Sequence, residues 1–216
     1  MIHVIFDMDG LLIDSEPTWK QVESEALKQA LGLNLTPEQL KRFTGRATRD
    51  FVRLVALDNP QLSVDQPALI ELILSMMAQR ILHAPLLPGA RKLINCLQAG
   101  SVPMAIASST PRKLIEAVVE CHQLPIEVIT SGAEAVASKP HPEVFLQAAK
   151  RLNADPFECW VFEDSLNGVI AARAASMKVV AVPAADYLPM EHFSIANRID
   201  KSLEESLAAF QRGELT

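Results

Sequence analysis

The residues with the richest chemistry stand at four places along the chain. Asp7-Met8-Asp9-Gly10 and Ser108-Ser109-Thr110 each follow a short apolar run; Lys139 lies in Ala137-Ser138-Lys139-Pro140; Glu163-Asp164-Ser165 precedes Asn167-Gly168. Asp7 and Asp9 are two positions apart, so extended backbone lets their side chains share a face, and a turn at Gly10 lets both approach a metal. Carboxylates of this kind suit a hard cation such as Mg²⁺, which binds through one or two carboxylates and keeps several waters. Asp164, with Glu163 beside it, offers the second protein ligand. A carboxylate can also act as a nucleophile, forming an acyl-phosphate that splits one hard displacement into two easier ones. A second carboxylate, placed by the bend at Gly10, can protonate a leaving oxygen and then deprotonate water. Ser108 and backbone amides can hold phosphoryl oxygens while Lys139 offsets their charge. Phosphate monoester hydrolysis demands accelerations of up to roughly 10²¹, which no lone group supplies. The ensemble is what counts.

Such groups meet only if the backbone delivers them to one edge. Residues 2–6 read as a buried strand, as do Val102–Ala107, Cys159–Phe162 and Met177–Val182, with a weaker run at Ile126–Thr130. Helical spacing separates them at Gly89–Gln98, Pro111–Cys121 with Thr110 as N-cap, Pro142–Leu152 and Ser165–Ala175. Strands alternating with helices predict an α/β fold with a doubly wound parallel sheet. Ligands bind such sheets beyond the carboxyl ends of the strands, where the four groups lie.

One stretch breaks the alternation. From about Ser15 to His83 only helical segments are expected: Pro17–Leu31, a helix opening at Thr36-Pro37-Glu38-Gln39 with a capping box, 47–57 and 67–82. The expected organisation is an α/β core of residues 1–14 and 85–216 with an inserted helical cap at 15–84. Pro85 and Pro88 stiffen the return linker. A lid over the site is the natural use of such an insertion.

Composition excludes several other readings. The 216 residues hold 20 basic and 26 acidic side chains, a formal charge of −6, which argues against nucleic acid or an anionic membrane as partner. No apolar run approaches the roughly 20 residues that span a bilayer. Met1–Asp9 shows no basic n-region or cleavage-site pattern, so a cytoplasmic location is expected. Cys96, Cys121 and Cys159 are odd in number and lack C-x-x-C spacing, against a disulfide framework or zinc ribbon. The dispersed His83, His122, His141 and His192 are read as structural, the Asn34-Leu35-Thr36 sequon as chance. No heptad or isolated apolar stripe argues for a dimer, so a monomer is expected.

Asp7-Met8-Asp9-Gly10-Leu11-Leu12-Ile13-Asp14-Ser15, Ser108, Lys139-Pro140 and Glu163-Asp164-Ser165-x-Asn167-Gly168 resemble the four ordered motifs of the haloacid dehalogenase superfamily. The resemblance spans residues 2–182. The helical insert after the first motif is similar to the cap of the β-phosphoglucomutase-like branch, and within it the chain is most similar to the 2-deoxyglucose-6-phosphate (hexitol) phosphatases. The resemblance implies that Asp7 is nucleophile and metal ligand and that Asp9 is general acid/base, ligating metal through its carbonyl. It implies that Ser108, with Ser109 beside it, and Lys139 hold the phosphoryl group. It also implies that Asp164 ligates Mg²⁺ directly, with Glu163 in the inner or the outer shell of ligands.

Branches within the superfamily separate on single residues. Dehalogenases lack an aspartate two positions after the nucleophile, so Asp9 disfavours dehalogenation. A phosphonatase uses a cap lysine as a Schiff base; Lys20 is the only one in the opening turns of the first cap helix, and nothing else supports that branch. The mutase branch is expected to carry a histidine near where Trp19 stands, which favours a phosphatase. In the cap, Gly45-Arg46-Ala47-Thr48-Arg49 resembles the substrate-specificity loop, where Arg46 or Arg49 could bind a sugar hydroxyl or a distal anion. Glu16 and Trp19, near the hinge, could line the pocket. The expected activity is Mg²⁺-dependent hydrolysis of a small phosphorylated metabolite, preferably a sugar or polyol phosphate, with a phosphomutase or a non-catalytic metabolite-binding protein as rivals.

Overall fold

Every central strand divides its side chains between two apolar clusters. In β1 (His3–Phe6), Val4 and Phe6 enter one cluster and Ile5 the other. Met104 and Ile106 of β2 (Met104–Ser108) join the first cluster, Ala105 and Ala107 the second. Trp160 and Phe162 of β4 (Cys159–Glu163) split in the same way from Cys159 and Val161. That alternation buries the sheet on both faces, as a parallel sheet requires. The computed structural model describes residues 2–184 and 187–215.

With β3 (Val128–Ser131), β5 (Lys178–Ala181) and β6 (Arg198–Ile199), the strands form one parallel sheet in the order β3-β2-β1-β4-β5-β6. The insertion holds α1 (Glu16–Leu31), α2 (Pro37–Lys41), α3 (Thr48–Asp58) and α4 (Gln66–Arg80); α5 (Ala90–Ala99), α6 (Arg112–Cys121), α7 (Glu143–Arg151), α8 (Leu166–Ala174) and α9 (Leu203–Gln211) cover the sheet. Leu93 and Ile94 of α5, Ile115 and Val118 of α6 and Leu203 of α9 seal the first face. Phe145 and Ala148 of α7 with Val169 and Ala172 of α8 seal the second. The expected doubly wound α/β core with its helical insertion is the fold observed.

Register decides where the chemistry falls. Phe6 pairs with Ile106 on one side and Phe162 on the other, and the Asp7 amide donates to the Phe162 carbonyl at 3.0 Å. The three central strands therefore end level, and the residues after them emerge at one edge.

In the inserted lobe, Val22, Ala26, Phe51, Ile73 and Met77 pack together, with Phe43 edge-on to Phe51 at 4.9 Å between ring centres. Thr36 and Gln39 form the expected reciprocal cap of α2. The two linkers run side by side, Asp14 N–H donating to Pro85 O and Leu87 N–H to Leu12 O, both at 2.9 Å. Through Leu12, Ile13 and Ala84 the lobe's apolar core is continuous with the sheet's first face. Among the described residues no helix is long and apolar enough to cross a membrane.

Candidate active site

Lys139 is the centre of the cluster. Its ammonium is 2% exposed and donates to Asp7 Oδ1 at 2.5 Å, Glu163 Oε1 at 2.6 Å and the Ala107 carbonyl at 3.0 Å. Burial opposes its charge, but the carboxylates of Asp7 and Glu163 outweigh that and hold the ammonium above its ordinary pKa. The Glu163 carboxylate is fully buried, and its other oxygen accepts from the Ser165 amide at 2.9 Å and the Ser165 hydroxyl at 3.0 Å. The Ser165 hydroxyl in turn accepts from the Gly168 amide, capping α8. A Cβ at Gly168 would overlap the Glu163 carboxylate, which explains the glycine at this point of close approach.

Glu163, expected in the inner or the outer shell of a metal, has Lys139 on one oxygen and Ser165 on the other, and so brackets the lysine. Thr110 is not the N-cap of α6: Pro111 takes that position. The Thr110 hydroxyl goes to Asp9.

Asp9 gathers donors from both halves of the molecule. Ser15 Oγ at 2.7 Å and Trp19 Nε1 at 2.8 Å donate to Oδ1; Thr110 Oγ1 at 2.8 Å and Ser108 Oγ at 3.1 Å donate to Oδ2. The first pair comes from the linker and the lobe, the second from the loop after β2. The Ser109 hydroxyl reaches the lobe, donating to the Gly45 carbonyl at 3.2 Å.

Asp7, Glu163 and Asp164 are all buried around the single ammonium of Lys139. Burial lifts the carboxyls of Asp7 and Asp164 well above the ordinary range; Lys139 draws Asp7 back, while the charge of Glu163 raises both. No described residue donates a hydrogen bond to the Asp164 carboxylate. Two negative charges thus lack a local counterpart, and an oxygen-ligated divalent cation fits that deficit. Asp9 turns its side chain toward its four donors, so what it can offer a cation is its carbonyl. Among the described residues no three acidic, histidine or cysteine side chains form a ready-made metal cage.

This geometry agrees with the comparisons. The model of the family described as "Haloacid dehalogenase-like hydrolase" matches residues 4–182. The chain belongs to this family. It is 32% identical to hexitol phosphatase B of Escherichia coli (strain K12) over 212 residues, 96% of this chain and 95% of that protein. It is also 32% identical to (DL)-glycerol-3-phosphatase 2 of Arabidopsis thaliana over 212 residues, 93% of this chain and 87% of that one. The solved β-phosphoglucomutase of Clostridium difficile superposes with a TM-score of 0.87 at 20% identity, covering 100% of this chain and 97% of that one, a likeness of fold.

In this dehalogenase-like hydrolase the helical lobe lies over the site and is bonded to the loops that carry it. Asp7, Asp9 and Ser108 border a cavity of about 50 Å³ whose far wall is Glu16, Trp19, Lys20 and Glu23 of α1 with Arg46. Ligand pockets usually measure about 300–1,000 Å³, so this cavity as it stands is too small for a phosphorylated metabolite. The Asn167 amide donates to the Thr44 carbonyl at 3.3 Å, Ser138 to the Asp50 carboxylate, and Arg49 to the carbonyls of Ala135 at 2.9 Å and Val136 at 3.3 Å. The two arginines part company here. Arg46 borders the catalytic cavity, whereas Arg49 lies outside it, tying cap to core.

Sequence reasoning missed Thr110 and Ser15 as partners of Asp9, and Glu23 as a wall of the cavity. Glu23 follows Glu16 by seven residues and was detectable, since that spacing returns to the same helix face.

Proposed function

We propose that this enzyme is a Mg²⁺-dependent phosphatase that hydrolyses small phosphate monoesters, of sugars or polyols, through an aspartyl-phosphate on Asp7. The observation that carries the reading is the pairing of two carboxylates with different settings. Asp7 is buried with one oxygen fixed by Lys139; Asp9, two residues on, is held by four neutral donors. A nucleophile and an acid/base need that difference. Similarity to a hexitol phosphatase and a glycerol-phosphatase supports the substrate class.

Asp7 attacks phosphorus while Asp9 delivers a proton to the departing alcohol oxygen, leaving the phosphoryl group on Asp7. Asp9, now a base, takes a proton from the water that attacks that phosphorus, releasing inorganic phosphate and restoring the Asp7 carboxylate and the protonated Asp9. Lys139 offsets phosphoryl charge and keeps one oxygen of Asp7 fixed so that the other attacks. Ser108 and the amides after β2 receive phosphoryl oxygens once the cap has admitted the substrate. Asp7, Asp164 and the Asp9 carbonyl are the groups to hold Mg²⁺, which when bound supplies neutralising charge at the phosphoryl oxygens. Closing the cap keeps bulk water from the site.

The test is release of inorganic phosphate from a panel of sugar, polyol and glycerol phosphates with Mg²⁺, with EDTA and Asp7→Asn as controls. Release that stops in both controls is the expected result. Release that survives Asp7→Asn removes the nucleophile and the mechanism with it. Sugar-phosphate isomerisation outpacing phosphate release makes the enzyme a mutase.

A further inference from the structure

The wall of the cavity opposite Asp7 belongs to one face of α1. Glu16, Lys20 and Glu23 recur at helical spacing, and Trp19, beside them, is anchored to Asp9. Glu16 has local partners, Lys20 Nζ at 3.7 Å and the Thr44 hydroxyl at 3.5 Å. Glu23 feels the charge of Lys20, but no described residue donates a hydrogen bond to its carboxyl group or forms a close ion pair with it, and it is half-buried and borders the cavity. Its carboxyl oxygens are therefore open to a bound molecule, and the space they border lies opposite Asp7, on the side a leaving alcohol would occupy. Burial, with the nearby Glu16 charge, raises the Glu23 carboxyl to about 8, so near neutrality it can donate as well as accept.

A second group on the same cavity makes the complement. Arg46 borders it, and its Nε–H is buried without an acceptor. A donor without an acceptor and a carboxyl without a donor are together satisfied by hydroxyl groups, which give one hydrogen bond and accept another. A phosphate or carboxylate in place of the hydroxyls would accept from Arg46 but has no proton to give the acceptor oxygens of Glu16 and Glu23. Either glutamate repels it once ionised, and in Lys20 it meets a cation already paired with Glu16.

We infer that Glu23 reads the leaving alcohol: with Arg46 Nε it selects phosphate esters whose alcohol carries further hydroxyl groups and rejects those with a bare apolar or second anionic group. This rests on the phosphatase reading above and adds to it a specificity-determining residue and a feature of the substrate. A site built to hydrogen-bond a hydroxyl discriminates far more strongly against its absence than an apolar pocket does against an extra methylene.

The experiment compares kcat/KM for a hexitol 6-phosphate, phenyl phosphate and a hexose 1,6-bisphosphate in wild type, Glu23→Leu and Glu23→Gln, all with Mg²⁺. In wild type the hexitol ester is favoured over both others by about tenfold or more. In Glu23→Leu the hexitol-to-phenyl ratio falls by about tenfold, and Glu23→Gln, which keeps a donor and an acceptor, restores part of it. Thermal melts of both variants establish that the comparison is between folded proteins. A hexitol-to-phenyl ratio equal in wild type and Glu23→Leu overturns the inference while leaving the phosphatase intact. A wild-type preference for the bisphosphate overturns it too, and gives the wall to Arg46 as an anion site. Wild type that releases no phosphate from any of the three overturns the phosphatase reading beneath it.

Discussion

Lys139 shows how much one side chain decides in a buried site. Its ammonium is shared by Asp7 and Glu163, neither of which has another cation within hydrogen-bond distance among the described residues. Lys139→Met should therefore remove about 10²-fold or more of the turnover, by analogy with loss of a group facing transition-state charge. It should also destabilise the fold by about 3–5 kcal/mol at neutral pH, the cost of leaving buried carboxylates unpaired, read by urea unfolding. The stability loss should shrink on acidification, because the stranded carboxyls then protonate; a loss independent of pH would show that their charge is not its cause. Glu23 and Glu16 supply a second pH signature. Burial raises them from 4.5 to about 8 and about 7, so the folded chain binds protons that the unfolded chain has released. Their contribution is fully present below about pH 4.5 and is lost as pH rises through 7 and 8. In EDTA, thermal melts should show wild-type stability falling between pH 5 and 9, and Glu23→Gln, which cannot ionise, should flatten the upper part of that fall.

At the scale of elements, the start of α8 is a fitting part of the site and not merely the next helix. Ser165 caps it and binds Glu163, while Gly168 leaves room for the Glu163 carboxylate. Ser165→Ala should cost about 1 kcal/mol as a lost cap. Gly168→Ala should cost more despite the better helix propensity of alanine, because its methyl group displaces Glu163 and through it Lys139. Chemical denaturation and phosphate release together check this: an alanine variant both stable and active would mean that the Glu163 bracket moves without consequence. The same elements explain what the sequence disclosed. Strands β1, β2 and β4 are apolar runs that end abruptly in acids or hydroxyls, so both the strands and their functional ends were legible. Strand β6 was not: it has two residues, one of them Arg198, whose guanidinium pairs with Asp200 at 2.5 Å. Buried Asp200 also accepts from Ser206 of α9 at 2.7 Å, so this end of the fold is fixed by polar pairing that leaves no hydrophobic period. Thr110 escaped for a related reason, since a threonine before Pro111 has the local signature of a cap, and only the tertiary approach of Asp9 gives it another partner. The role of Glu163 depended on which oxygen faces Lys139, which no spacing encodes.

Across the whole molecule the decisive fact is that the cavity is too small for the substrate it is built to process. A space of about 50 Å³ admits water, not a phosphorylated polyol. Turnover must then include separation of cap from core, with breakage of the Asp50–Ser138 and Arg49–Ala135 contacts and of the Trp19–Asp9 bond. The last of these ties the motion to the site: when α1 leaves, Asp9 loses a donor, so if Asp9 is the acid/base proposed above, it is fully positioned only under a closed cap. On the proposed mechanism, that arrangement confines both proton transfers to the closed state, with bulk water excluded. A cross-link should expose the dependence. Asp50 and Ser138 face each other across the junction, and Asp50→Cys with Ser138→Cys, made in a Cys121→Ser background because Cys121 is the exposed native thiol, can form a disulfide between cap and core. The reduced double variant should release phosphate, the oxidised one should lose nearly all turnover, and dithiothreitol should restore it. Loss without restoration would point to damage by oxidation, whereas full turnover in the oxidised form would mean that substrate enters past a closed cap. If the lock holds, Arg49→Ala should act in the opposite direction, weakening closure: KM rises and the fraction of productively closed enzyme falls, because an interface that must open at each cycle is balanced by only a few such bonds.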